Sequence, residues 1–151
     1  MLKINLGCGN RKLDGYINID IDRSVKPDLV HDLQRSIPYP DEFVDHVRAY
    51  DFLEHIPIGK TIHVVDEIWR VLKVGGTFEH FTPSTDGRGA FQDPTHQSLW
   101  NINSWLYFCK DQWPGQYGIK SRFTVESLQD VITSNELRII HTHGILRKEQ
   151  P

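Results

Sequence analysis

A chain of 151 residues is long enough to bury a real core and short enough to be read as one domain. Its 38% hydrophobic and 25% charged residues describe an ordinary globular protein, and a net charge of −3 offers none of the basic surface that nucleic-acid binding asks for. No apolar run is long enough to span a bilayer, no charged-then-apolar leader opens the chain, and two cysteines, Cys8 and Cys109, do not make a disulfide framework, so a cytoplasmic protein without a membrane partner is expected.

Residues 2–6 are weakly alternating and residues 16–21 alternate as Tyr-Ile-Asn-Ile-Asp-Ile; both predict strands. Only Gly7 to Gly15 lie between them. A parallel crossover takes roughly a dozen residues or more, so the first connecting helix is expected to shrink to a turn or two. Residues 28–33 predict a short third strand and Ile37-Pro38-Tyr39-Pro40-Asp41 a turn. Residues 44–52 predict a fourth strand. From Thr61 to Lys73, Ile62, Val65, Ile68, Trp69 and Leu72 recur at helical spacing, and Gly75-Gly76 is expected to stop that helix. Residues 77–81 predict a fifth strand. Residues 84–98 read as a long polar loop, and residues 100–108 as a short aromatic helix. Thr124-Val125-Glu126-Ser127 has the form of a capping box opening a helix to about Ser134, and residues 137–146 predict a last strand. Strands alternating with crossovers argue for a parallel sheet. The expected fold is a single α/β domain over residues 1–151, three-layered and Rossmann-like. It has a mostly parallel sheet with helices on both faces, a shortened first helix, and a lid-like loop at about 84–113.

Two glycines flanking one residue, Gly7-Cys8-Gly9, let the backbone turn sharply and approach a ligand with no Cβ in the way. An acid at the end of the next strand, Asp20, is suited to accept hydrogen bonds from a ribose diol, with Asp22 as its neighbour and competitor. Together they suggest a nucleoside-containing cofactor across the carboxyl ends of adjacent strands. Leu6-Gly7-Cys8-Gly9-Asn10 resembles the first motif of class I S-adenosylmethionine-dependent methyltransferases, most closely small methyltransferase-like proteins with the same Gly-Cys-Gly-Asn turn. Tyr50-Asp51-Phe52-Leu53-Glu54-His55-Ile56 is similar to the stretch after their fourth strand. Glu67 to Gly76 (Glu-Ile-Trp-Arg-Val-Leu-Lys-Val-Gly-Gly) is similar to the helix and turn before their fifth. The resemblance covers residues 1–83.

It implies methyl transfer from S-adenosylmethionine to a small-molecule or saccharide acceptor. It implies a cofactor site of Gly7, Cys8, Gly9, Asn10 and Asp20, with Asp32 and Leu33 beside the adenine and Ala49 and Tyr50 near the methionyl group. The polar segment after the fifth strand falls on the carboxyl side of the sheet, where open α/β folds bind ligands. There His96 or Asp93 is a candidate general base, and Asp86 and Arg88 are candidates for holding the acceptor. His55 is a more natural structural residue than a catalytic one. Phe91, Trp100, Trp105, Tyr107, Phe108 and Trp113 either wall the acceptor or form the segment's own core. No metal centre is expected: there is no His-x-x-x-His or Cys-x-x-Cys pair, and His141-x-His143 lacks an evident third ligand. Two alternatives stand beside the enzyme. One is a non-catalytic S-adenosylmethionine-binding or scaffold domain, because the last antiparallel hairpin strand is missing unless residues 117–123 supply it. The other is a nicotinamide-dinucleotide-binding protein, for which the third glycine is absent and the acid arrives early.

Overall fold

The structure is a computed structural model that describes residues 1–110 and 116–150; Trp113 lies outside the described residues. Among the described residues seven strands form one sheet: β1 (Lys3–Leu6), β2 (Ile17–Asp20), β3 (Leu29–Val30), β4 (Val44–Tyr50), β5 (Leu72–Pro83), β6 (Phe123–Ser134) and β7 (Ile139–Lys148). Their order is β3-β2-β1-β4-β5-β7-β6. The first five are parallel, and β7 runs antiparallel to both β5 and β6. The sheet is therefore mixed.

Register puts Ile4 beside Ile17 and Val47, Leu6 beside Ile19 and Ala49, Phe78 beside Val47 and Leu146, and His80 beside Ala49 and Gly144. Successive side chains in a strand point to opposite faces, so these residues make one apolar face. Helix α1 (Thr61–Val71) lays Val64, Val65, Ile68 and Val71 into the same core. A short helix, α2 (Ile102–Leu106), adds Trp105, and Trp100 and Phe108 join it there. Trp100 and Trp105 stack with ring centroids 4.6 Å apart. These aromatics are thus core, while Phe91 is exposed.

The other face carries Lys3, His46, Arg48, Tyr50, Thr77, Glu79, Phe81, His143 and Arg147, all partly exposed. Arg48 sits over the Tyr50 ring, 3.5 Å from its centroid. The Tyr50 hydroxyl donates to Glu79, which also meets His143 Nε2 at 2.9 Å. The expected three layers are not formed among the described residues. Right-handed crossovers from β1 to β2 to β3 move one way across the sheet and those after β4 move the other, so their connections lie on opposite faces. The first two connections are turns; even the shortened first helix is absent, and the only helical piece is a 3-10 turn at Arg23–Val25. The one helix longer than five described residues, α1, falls on the apolar face.

Two further expectations are corrected. Residues 124–134 are not a helix but most of β6, paired with β7 from Phe123↔Lys148 to Ser134↔Ile139. Val125, Leu128, Val131 and Ile132 have near-helical spacing. Two bulges, at Val125/Ser127 and Ile132/Ser134, let that spacing sit in a ladder, and β-branched Thr124, Val125, Val131, Ile132 and Thr133 suit a strand. β6 is therefore the hairpin strand that seemed missing. The helix over Thr61–Lys73 ends at Val71, because Leu72 already pairs with Val44. Gly75-Gly76 is a bulge in the β4–β5 ladder, where a Cβ on Gly76 would meet the Lys73 and Asp45 carbonyl oxygens at 2.9 and 3.1 Å.

Candidate functional site

At the end of β1, Gly7 and Gly9 have φ of +59° and +47°, backbone that side chains other than glycine adopt only at a cost. A Cβ on Gly7 would fall 2.1 Å from the Phe52 ring; at Gly9 no protein atom lies within 4 Å of that position. Gly7 is therefore needed by the protein's own packing, and Gly9 faces open space. At the end of β2, Asp20 accepts the Gly9 N–H on Oδ2 (2.8 Å) and the Asp22 N–H on Oδ1 (2.9 Å). Asp22 is exposed and caps the following turn, accepting from the Ser24 N–H at 2.8 Å. The two acids are thus separated by role.

A cavity of about 320 Å³ opens at these strand ends. It is lined by Gly7 and Gly9 after β1, Asp20 and Ile21 after β2, His31 to Gln34 after β3, and Asp51, Phe52, His55 and Ile56 after β4. β2 and β3 step away from β1 on one side and β4 on the other, so this is the sheet's topological switch point, where ligands of open α/β folds sit. Of the residues expected in the site, Gly7, Gly9, Asp20, Asp32 and Leu33 come together here. Cys8 is buried, its thiol pushed up by burial and by Asp20 and Asp28, and Asn10 is exposed. Ala49 is buried on the apolar face, and Tyr50 lies on the opposite face with Glu79. Their places in the lining are taken by Asp51 and Phe52, one step past the strand end.

A second cavity of about 280 Å³ shares Asp51 and His55 with the first. Its other walls are Glu54, Pro83, Gly89, Gln92, Asp93, His96, Ile139 and His141. His96 and Asp93 are therefore brought to the site. Asp86 and Arg88 are not among its walls: both are exposed, with Asp86 turned to the Ser84 hydroxyl (3.3 Å). The segment after β5 is pinned rather than hinged. Ser84 N–H donates to Ile140 O (2.9 Å), Arg88 N–H to Arg138 O (2.8 Å), and the Gln97 and Ser98 N–H groups both donate to Glu54 O. Gly87 and Gly89 allow close approach to β7, since a Cβ on either would lie within 3 Å of Ile140 or Ile139 atoms.

Asp51 joins the two cavities. Its Oδ2 takes Arg11 Nη1 at 2.7 Å and its Oδ1 lies 3.3 Å from His141 Nε2. Burial raises its carboxyl, but His141 and Arg11 outweigh that and hold it below the ordinary value. Glu54 is different. Its side chain is 2% exposed, its Oε2 has no hydrogen-bond partner among the described residues, and burial, helped by the negative charges of Asp51 and Asp93, pushes its carboxyl up to about 8. Glu54, His31, Gln34 and Phe52 were not singled out from the sequence, and His141 only as half of a His-x-His pair weighed for metal. Glu54 lies within the motif that also contains His55, but His141 joins the site only because the hairpin returns beside β5.

Residues 5–79 match a family model described as a methyltransferase domain. Over these 75 of 151 residues the chain is similar to that methyltransferase domain family. No curated protein matches its sequence. Among solved structures, this chain is similar to a SAM-dependent methyltransferase from Methanosarcina mazei, with 16% identity and a TM-score of 0.68 over 99% of this chain and 92% of that one. A SAM-dependent methyltransferase from Archaeoglobus fulgidus has 16% identity and a TM-score of 0.70 over 97% and 85% of the two chains. The [4+2]-cyclase SpnF shares the fold at 14% identity and a TM-score of 0.69, over 99% and 74%. At these identities the likeness is one of fold, and SpnF is a reminder that a fold hosts more than one chemistry. The residues present fit the family's cofactor. Gly9 leaves open space that a Cβ would take, the Asp20 carboxylate retains acceptor capacity beyond its two backbone partners, and the cavity has the volume of a small-molecule site.

Proposed function

We propose that the protein transfers a methyl group from S-adenosylmethionine to a small polar acceptor, of sugar-like character, seated in the second cavity. The observation that carries this is the meeting of two cavities at Asp51 and His55, one built on the glycine turn and Asp20, the other on Asp93 and His96. When bound, the cofactor supplies a methyl group already made electrophilic by its sulfonium. Gly7 and Gly9 give it backbone approach, Asp20 accepts the ribose hydroxyls, and Asp32 and Leu33 flank the adenine. On the acceptor side, His96 Nδ1 lies 3.0 Å from the Ala90 carbonyl, to which it must donate. That leaves Nε2, 3.6 Å from Asp93 Oδ2, with a lone pair for an acceptor proton. Asp93 is oriented by Thr95, whose N–H and hydroxyl both bind Oδ1.

Calorimetry tests the cofactor half. S-adenosylhomocysteine is expected to bind and NAD is not. Asp20→Asn should weaken binding by roughly 1.5–3 kcal/mol, about 10- to 100-fold, through loss of a charged acceptor, while Asp22→Asn changes it less than about threefold, well below that loss. Tight NAD binding without S-adenosylhomocysteine binding would overturn the proposal. Cofactor binding with no turnover on any hydroxylated acceptor would favour a non-catalytic domain.

A further inference from the structure

One carboxylate oxygen of Glu54 and one ring nitrogen each from His55 and His96 lie within 4.8 Å of one another. They come from two segments that are fastened together. Glu54 and His55 belong to a single 3-10 turn, Leu53–His55, directly after β4. His96 belongs to the segment whose Gln97 and Ser98 amides grip the Glu54 carbonyl, whose Gln97 side chain donates to His55 O (3.1 Å), and whose Ser98 hydroxyl donates to Leu53 O (2.9 Å). Both imidazoles are oriented through Nδ1. That atom of His96 is bound to Ala90 O, and that of His55 lies 3.3 Å from Thr95 Oγ1, which is itself held by Asp93. Among the described residues neither Nε2 makes a hydrogen bond: that of His96 lies 3.6 Å from Asp93 Oδ2 and that of His55 3.9 Å from Glu54 Oε1. Outer partners of this kind are what fix the rings of metal-binding histidines. The two rings meet edge to face with centroids 5.0 Å apart.

The Glu54 side chain supplies the independent observation. It is buried to 98%, it lines the second cavity, and Oε2 has no donor among the described residues. A buried acceptor without a partner is costly, and native structures rarely leave one. Its nearest cationic candidate, His55 Nε2, is 3.9 Å from Oε1, too far for a hydrogen bond. We propose that Glu54, His55 Nε2 and His96 Nε2 bind one divalent transition-metal ion, with an open position toward the second cavity for an oxygen atom of the acceptor. Two imidazoles and one carboxylate favour zinc-class ions over calcium or magnesium, which prefer all-oxygen shells. Three protein ligands with one open position is the pattern of catalytic rather than structural zinc. Ligand bonds of about 2.0–2.2 Å require the three atoms to draw together by roughly 1 Å. His55, at 39% side-chain exposure, has the freedom to turn inward. In the metal-loaded protein His96 holds the ion, and the ion takes over polarisation of the acceptor oxygen. The ion site stands on its own residues; only the identity of the bound oxygen rests on the methyl-transfer reading.

The test uses the tag-free full chain after chelator treatment, titrated with zinc chloride in a calorimeter, with cobalt chloride as a spectroscopic probe of the same site. One equivalent of zinc is expected to bind, and cobalt to give a visible absorption band that zinc abolishes. His55→Ala and Glu54→Gln should each weaken zinc binding at least tenfold, and His63→Ala, at an exposed position on α1, should not. His55→Ala removes a half-exposed side chain, so it remains informative if Glu54→Gln fails to fold. S-adenosylhomocysteine binding is measured on the same samples. Cofactor binding without stoichiometric zinc sinks the metal site alone. Zinc binding without cofactor binding sinks the methyl-transfer reading alone. Zinc binding that ignores both His55→Ala and Glu54→Gln overturns the assignment of ligands.

Discussion

Gly7 and Gly9 have similar φ angles and different obligations, and substitution separates them. Gly7→Ala meets both the left-handed backbone penalty and the Phe52 ring, so it should lower stability by roughly 2–5 kcal/mol, combining strain with overpacking. Gly9→Ala meets the backbone penalty alone, roughly 1–2 kcal/mol, yet should weaken S-adenosylhomocysteine binding more than Gly7→Ala does in whatever fraction of that variant remains folded. Urea midpoints and calorimetry measure the two effects; equal destabilisation by both would sink the distinction. These residues were legible in the sequence because the turn and Asp20 are local: two adjacent strands and the link between them. Ala49 and Tyr50 were misplaced for an equally local reason. Side chains inside a strand point to its faces, so neither residue at the end of β4 reaches the crevice. Asp51 does, because its φ of +49° breaks the alternation just past the strand. Tyr50→Phe should accordingly leave cofactor affinity within about twofold, while the lost bond to Glu79 costs roughly 0.5–1.5 kcal/mol in stability.

Between elements, β5 and β7 fit closely around one buried ring. His80 lies fully buried against Trp105, with ring centroids 3.5 Å apart, and neither ring nitrogen has a partner among the described residues. Opposite it, Gly144 makes room: a Cβ there would fall 2.2 Å from His80 Nε2. Gly144→Ala should therefore destabilise by roughly 1–3 kcal/mol through overpacking, and His80→Ala should rescue part of that loss in the double variant. If the two effects simply add in urea unfolding, the contact is not the cause. The element most at odds with its sequence was β6. A Thr-x-x-Ser pattern and near-helical apolar spacing describe residues 124–134 well enough in isolation. Their state is decided by a long antiparallel ladder with β7 and by Phe123, which reaches the core beside Phe78. Pairing partners distant in sequence leave no local mark, which is also why His141 was not connected to Asp51.

For the molecule as a whole, the buried imidazole has a consequence for acid stability. Burial, reinforced by His143, holds His80 neutral well below the ordinary histidine range. Below about pH 6.5 the unfolded chain takes up a proton there that the folded chain refuses, so this group removes stability as pH falls, by up to about 1.4 kcal/mol per unit. Glu54 acts in the opposite sense. Its raised carboxyl is protonated in the fold, so its contribution is full at low pH and is lost as pH rises through about 8. The quantity to compare is thus the change in unfolding free energy between pH 6.5 and 5.5 in the native protein and in His80→Leu. The native protein should lose about 1 kcal/mol more; equal losses would show that His80 titrates normally. The succession of the first five strands was readable, because periodicity reports strands and turns one at a time. The bare polar face was not, since it follows from connections being too short to hold helices. The carboxylate of Asp51 has one oxygen committed to Arg11, from the turn after β1, and the other near His141, from the far hairpin. A ligand that draws Arg11 away changes the charge that His141 sees, and the reverse holds equally. Occupants of the two cavities should therefore show reciprocal cooperativity, with the same coupling factor whichever is added first, and Asp51→Asn should bring that factor close to one.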